Sequence, residues 1–240
     1  MTIADKTILV TGANRGIGQA LVEEALRRGA KRVYAGTRQP LDHPDPRVVP
    51  LSLDVTSAAQ IQAAADRVEA LDILINNAGV SVRDDLGDLG AALEQHLAVN
   101  LFGTYGVTQA FLPFLARSEG AIVNVVSLAA FASVPIMPAY SISKAAAFSL
   151  SQSQRALLAG QGVSVHAVMS GPVDTDMNRG FDIPKASPES VARAIFDGFE
   201  KGEEEIFPDP MSDSLAEGWR SGVVKAFERQ NAALLEPVTS

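Results

Sequence analysis

Tyr140 stands four residues before Lys144, and Ser127 stands thirteen residues before the tyrosine. Positions i and i+4 share one face of a helix, so a phenol and an ammonium would lie side by side. An ammonium favours the phenolate and draws the phenol below its ordinary value of about 10. Such a phenol exchanges a proton near neutral pH. Ser127 closes the apolar run Ala121-Ile-Val-Asn-Val-Val-Ser127 and brings a hydroxyl from a strand end that can hydrogen-bond a substrate carbonyl. The three residues suit moving a proton on and off an oxygen. They lack only a hydride carrier.

The elements that must position them follow from hydrophobic patterning. Short Val/Ile/Leu runs predict strands near 7–10, 32–36, 48–53, 71–75, 121–126, 163–168 and 205–207. Longer Ala-rich amphipathic stretches predict helices near 16–29, 57–70, 88–116, 138–160, 188–201 and 213–234. Runs such as Ile8-Leu-Val10 and Ile73-Leu-Ile75 are apolar at every position, as strands covered on both faces require. The expected fold is α/β: a Rossmann-type, doubly wound, seven-stranded parallel sheet with helices on both faces. Residues 1–207 form its catalytic and cofactor-binding domain, and 208–240 a helical extension packed on that domain. Gly29 and Gly160 mark helix ends, and Ser187-Pro188 a helix start. The segment 174–187, with Gly180 and Pro184, breaks periodicity and is expected to be a mobile flap.

The first strand runs into Thr11-Gly12-Ala-Asn14-Arg15-Gly16-Ile17-Gly18, ahead of a helix. Glycines let a backbone approach a pyrophosphate, and a helix N-terminus supplies donors and positive potential. The spacing is G-x-x-x-G-x-G rather than G-x-G-x-x-G. An acid at the end of the second strand would hold ribose hydroxyls and select NAD. This chain has Gly36-Thr37-Arg38 there. Arg38 and Arg15 suit a 2′-phosphate, so the expected cofactor is NADP(H).

The chain has 240 residues, 47% hydrophobic and 20% charged, enough to bury one full core. A net charge of −8 argues against nucleic acid and anionic membrane as partners. With no cysteine, disulfides, thiolate metal sites and cysteine nucleophiles are excluded. His43, His96 and His166 lack ligand spacing, so no metal is expected. The first ten residues do not read as a signal peptide, and no apolar stretch reaches spanning length; a cytoplasmic location is the expectation. Ser141-Ile-Ser-Lys144 matches the S-x-x-K of acyl enzymes, but the Ser-Asp-Asn and Lys-Thr-Gly that accompany it there are missing.

Together the motifs resemble the classical short-chain dehydrogenases/reductases (SDRs) over about residues 5–207. The resemblance rests on Thr11–Gly18, Asn76-Asn-Ala-Gly79, Asn100, Ser127 and Tyr140-Ser-Ile-Ser-Lys144. It implies that the glycine turn cradles the pyrophosphate and that Asp54 and Val55 contact the adenine. Asn77, Ala78 and Gly79 would line the adenosine ribose. Tyr140 would be the acid/base, Ser127 would orient the substrate oxygen, and Lys144 would grip the nicotinamide ribose. Asn100 would support a proton relay to Lys144, and Val173 and Thr175 would hold the carboxamide. Where the family has Pro-Gly after the sixth strand, this chain has Ser170-Gly171, followed by Pro172.

The implied activity is reversible NADPH-dependent reduction of a small ketone or aldehyde. An acyl-carrier-type 3-ketoacyl reductase and a non-catalytic NADP-binding sensor stand as alternatives. Ala129, Phe131, Val134, Met137, Met177 and Phe181 are the candidate substrate-pocket residues, with core packing the competing reading. Trp219 reads as a packing residue. The resemblance also implies a homodimer or homotetramer packed through the 88–116 and 138–160 helices.

Overall fold

The computed structural model describes residues 1–82, 84 and 89–235. The expected helix start at 88 and residues 236–240 of the expected extension lie outside them. Seven strands form one parallel sheet: β1 (Thr7–Thr11), β2 (Arg32–Thr37), β3 (Val48–Ser52), β4 (Ile73–Asn76), β5 (Ala121–Val125), β6 (Ser164–Val168) and β7 (Glu205–Ile206). Their order is β3-β2-β1-β4-β5-β6-β7, so the order reverses beside β1. In open sheets of this kind, ligands bind outside the carboxyl ends of the strands at that reversal.

The helices are α1 (Gly16–Arg27), α2 (Ala58–Ala65), α3 (Leu89–Leu97), α4 (Thr104–Ser118), α5 (Pro138–Leu158), α6 (Pro188–Glu200), α7 (Pro210–Arg220) and α8 (Val223–Ala232). Successive strand residues point to opposite faces, and the core divides accordingly. Ile8, Val10, Ile73 and Ile75 pack with residues of α1 and α6 such as Leu21 and Phe196. Leu9, Leu74 and Ile122 pack with Ile61 of α2 and with Val107, Phe111 and Leu115 of α4. This is the physical content of strands that are apolar at every position.

Boundaries differ from the sequence expectation chiefly at four places, the first being the helix expected over 57–70, which ends at Ala65. The helix expected over 88–116 is divided by a π-helical segment, Ala98–Gly103, centred on Asn100. The helix expected over 213–234 begins earlier, at Pro210, and breaks at Ser221-Gly222 into α7 and α8. The glycine that turns the chain after α5 is Gly162, at φ +73°, and not Gly160. Gly29 (φ +82°) and the Ser187 cap, whose hydroxyl accepts from Ser190 N at 3.2 Å, stand where expected.

The last two helices pack through an aromatic cluster and a buried ion group. Trp219 stacks on Phe131 at 4.5 Å between ring centroids. Lys225 is 2% exposed and lies 2.8–3.0 Å from carboxylates of Glu204, Glu205 and Glu228. Arg155 of α5 pairs with Glu205 at 2.9 Å and also with Glu228. Among the described residues no helix is long and apolar enough to cross a membrane.

Candidate active site

A cleft of about 1350 Å³ opens along the carboxyl ends of the strands. Every residue the sequence singled out for cofactor, catalysis or substrate borders it, except Asn100 and Phe131.

One end is the glycine turn. Gly12 and Gly16 adopt φ of +66° and +56°, which side-chain-bearing residues rarely do. A Cβ on Gly18 would lie 2.1 Å from the Gly12 carbonyl oxygen, so the turn closes only with glycine there. The Asn77 side chain fixes the same turn, donating to the carbonyls of Thr11 (2.9 Å) and Gly12 (3.2 Å). The N-terminus of α1 has no side-chain cap and no acidic residue in its first turn. Its amides therefore face the cleft without a protein acceptor of that kind, a fit for phosphate. Arg38 is exposed beside the cleft and helps hold the Asp54 carboxyl below its ordinary value; hydrogen bonds from Thr56 are the main cause. Arg15 pairs with Asp176 at 2.9 Å, which ties the glycine turn to the flap, and Asp176 also pairs with Arg179.

The other end gathers the proton-handling residues. Pro138 opens α5 at its first helical position, which places Tyr140 and Lys144 on its early turns. The Asp84 carboxylate caps this start, accepting from Ala139 N at 2.9 Å. Ser127 lies two residues past β5 in extended conformation, and its hydroxyl accepts from Ala129 N at 3.1 Å. Lys144 is buried; its ammonium donates to Val125 O at 2.9 Å and lies 5.7 Å from the Tyr140 ring centre. Burial lowers it from 10.5 to about 8. Burial likewise pushes the Tyr140 phenol up, and a hydrogen bond with Ser127 draws it part of the way back. The expected downward pull by Lys144 is not expressed here, because the ammonium is turned to the Val125 carbonyl and desolvation dominates.

Asn100 sits behind the cleft. Its side chain accepts from Val80 N (2.9 Å) and donates to Val80 O (3.0 Å) and Ser143 Oγ (2.9 Å). The π-helical turn shifts the local hydrogen bonding: the Thr104 amide bonds to Leu101 O, and its hydroxyl takes Asn100 O at 3.1 Å. Asn100 Oδ1 and Lys144 Nζ would lie 3.2 and 3.6 Å from a Cβ on Gly79, so that glycine keeps open the space between them.

Phe131 does not reach the cleft. It turns inward, stacks on Trp219 and meets Phe148 edge-on at 5.3 Å between centroids. Core packing decides its position, and Trp219 packs as the sequence suggested. Ala129, Val134, Met137, Met177 and Phe181 do border the cleft.

Two neighbours escaped the sequence reading. His96, fully buried, meets the Tyr140 ring edge-on at 6.3 Å; its Nδ1 lies 2.6 Å from Ala92 O and its Nε2 accepts from Val82 N at 3.1 Å. Its position four residues before Asn100 on one helical face was a usable signal. Met211, at the start of α7, also borders the cleft, and nothing in the sequence brings it there.

The model of the family described as short chain dehydrogenase matches residues 6–185. The chain belongs to the short-chain dehydrogenase family. As an SDR it is an oxidoreductase. It is 34% identical over 206 residues to the short chain dehydrogenase pigC of Monascus ruber, covering 75% of this chain and 66% of that protein. It is 34% identical over 208 residues to 2-(S)-hydroxypropyl-CoM dehydrogenase 3 of Xanthobacter autotrophicus, covering 80% and 82% respectively. A crystal structure of a short chain dehydrogenase from Burkholderia cenocepacia in complex with NADP matches with a TM-score of 0.86 at 37% identity, covering 95% of this chain and 99% of that one.

Proposed function

We propose that this SDR is an NADPH-dependent carbonyl reductase acting on a small ketone or aldehyde, with the reverse alcohol oxidation at the same site. The carrying observation is one cleft that joins an uncapped helix N-terminus flanked by Arg15 and Arg38 to the group Ser127, Tyr140 and Lys144. The NADP complex of the Burkholderia protein supports the choice of cofactor.

Bound NADPH supplies the hydride. The α1 amides and Gly12, Asn14, Gly16, Ile17 and Gly18 hold its pyrophosphate, and Arg15 and Arg38 its 2′-phosphate. Thr37 stands beside Arg38 at the strand end. Asp54 and Val55 border the adenine, and Asn77, Ala78 and Gly79 the adenosine ribose. Gly171, Pro172, Val173 and Thr175 hold the carboxamide end. Ser127 donates a hydrogen bond to the substrate oxygen, and Tyr140 delivers its proton there as negative charge develops. Lys144, whose ammonium donates to Val125 O here, would hold the nicotinamide ribose beside the phenol. Its charge there lowers the barrier to phenolate formation. Asn100, fixed by Val80 and Ser143, supports proton resupply to Lys144. Ala129, Val134, Met137, Met177 and Phe181 shape an apolar substrate wall. The exposed Phe102, Tyr105, Ile142 and Leu157 suit a homo-oligomeric contact, measurable by light scattering.

The test is NADPH depletion over a panel of aromatic, aliphatic, steroid-like and acyl-thioester carbonyls. Tyr140→Phe should lose about 10²–10⁴ in turnover. Normal turnover in that variant would refute the mechanism. Faster turnover with NADH than with NADPH at equal concentration would refute the arginine assignment.

A further inference from the structure

The ladder between β6 and β7 repeats every second residue. Ala167 N donates to Glu204 O and Met169 N to Ile206 O, both at 2.8 Å. The next amide in the series is that of Gly171, whose partner by continuation would be the carbonyl of Pro208. The chain turns away there, and the Gly171 amide donates instead to Asp209 Oδ2 at 2.7 Å. A side chain thus replaces the last rung of the sheet.

Asp209 is 5% exposed, and its two oxygens have separate duties. Oδ1 caps α7, accepting from Met211 N at 3.1 Å and Ser212 N at 3.0 Å. Oδ2 holds Gly171 and also takes the Ser212 hydroxyl at 2.8 Å. A Cβ on Gly171 would lie 2.6 Å from Oδ1, so the carboxylate fills the space any larger residue would need. On its other side, the preceding Ser170 carbonyl accepts from Leu128 N at 3.0 Å, next to Ser127. Gly171 is therefore clamped between the Ser127 loop and α7.

We propose that Asp209 is a positioning residue for the nicotinamide end of the cofactor. Through the Gly171 amide, its carboxylate sets the path of the segment that leads into Val173 and Thr175. This inference rests on the NADPH reading above. Ser170 stands where the family has proline, and the clamp supplies the stiffness a ring would otherwise give.

Asp209→Asn separates the two duties. Asparagine caps helices as well as aspartate does, so its oxygen can keep the α7 amides. Its NH₂ group then faces the Gly171 N–H, donor against donor. The probes are NADPH and adenosine 2′,5′-bisphosphate, which carries the adenosine and 2′-phosphate but no nicotinamide. Both are measured by calorimetry, alongside the ligand-free thermal midpoint. The NADPH dissociation constant should rise about tenfold or more, because the segment that leads into Val173 and Thr175 is no longer fixed before binding and the ligand must order it. Affinity for the bisphosphate should stay within about twofold, and the ligand-free midpoint should fall by only a few degrees, for the one buried N–H left without an acceptor. Gly171→Ala, which displaces the carboxylate from the other side, should reproduce the split, and it decides the matter if Asp209→Asn fails to fold. Unchanged NADPH affinity overturns the proposal. So does equal weakening of both ligands, which would mean that Asp209 acts only through the fold. A wild-type chain that binds NADPH but reduces no carbonyl overturns the reductase reading and leaves this one standing.

Discussion

Lys144→Met should make the ligand-free protein more stable while abolishing turnover. Lys144 is 6% exposed; among the described residues its hydrogen-bond partner is the neutral Val125 carbonyl, and no carboxylate pairs with it. Burial takes it from 10.5 to about 8, which corresponds to roughly 3 kcal/mol of unfavourable charge burial at neutral pH. Methionine has similar length and carries no charge, so it removes that cost and forfeits about 1 kcal/mol of hydrogen bonding. The net gain is about 2 kcal/mol, or roughly 4–8 °C in Tm for a chain of this size. The gain must depend on pH in one direction. Below about pH 8 the lysine is protonated in both folded and unfolded chains, and the full penalty is present. Between about 8 and 10.5 the folded lysine has released its proton while the unfolded one still binds it, so wild-type stability climbs with pH. The variant lacks this climb, and the gap between the two should close across that window. Paired thermal melts of the two proteins from pH 6 to 10 measure it. A less stable variant at pH 7, or a gap independent of pH, would refute the reasoning.

Gly18→Ala places a methyl 2.1 Å from Gly12 O and 2.6 Å from Asn77 Nδ2, and backbone must move to admit it. We expect about 3 kcal/mol of destabilisation and loss of NADPH binding by calorimetry, whereas Gly90→Ala, with nothing within 4 Å, should be neutral or slightly stabilising in the same melts. Lys225→Met strands Glu205, itself 4% exposed, with Arg155 as its remaining cation. It should cost about 3–5 kcal/mol, seen as a lower denaturation midpoint followed through Trp219 fluorescence; a midpoint at or above wild type would contradict it.

The sheet was legible in the sequence because its central runs, Ile8-Leu-Val10 and Ile73-Leu-Ile75, are apolar at every position, as strands covered on both faces require. The glycine turn was legible because Gly12, Gly16 and Gly18 answer a local steric demand, visible in the +66° and +56° torsions and the 2.1 Å approach. Where the outcome depended on contacts distant in sequence, patterning was silent. Phe131 is apolar and adjacent to the catalytic serine, but a stack with Trp219, far along the chain, decides which way it points. The π-helical turn at Asn100 spans Ala98–Gly103, and an Asn and a Gly in a helix do not by themselves specify an extra residue in the turn. The α7 helix starts at Pro210 instead of the expected 213 because Asp209 caps it ahead of a proline, and the reach of Asp209 to Gly171 leaves no mark in the sequence. The direction of the Tyr140 shift likewise depends on where the Lys144 ammonium points, which i, i+4 spacing does not specify.

The π-helical turn makes the length of this part of the chain discrete. Deleting one residue between 98 and 103 would let an ordinary α-helix run through. The wide turn absorbs the extra residue, so α3 and α4 would keep their relation while the residues of the turn itself change phase. Asn100 lies within that turn, so its side chain would be withdrawn from the Val80 amide and the Ser143 hydroxyl. A single-codon deletion at 101–103 would reach the site from behind, without touching any residue that borders the cleft.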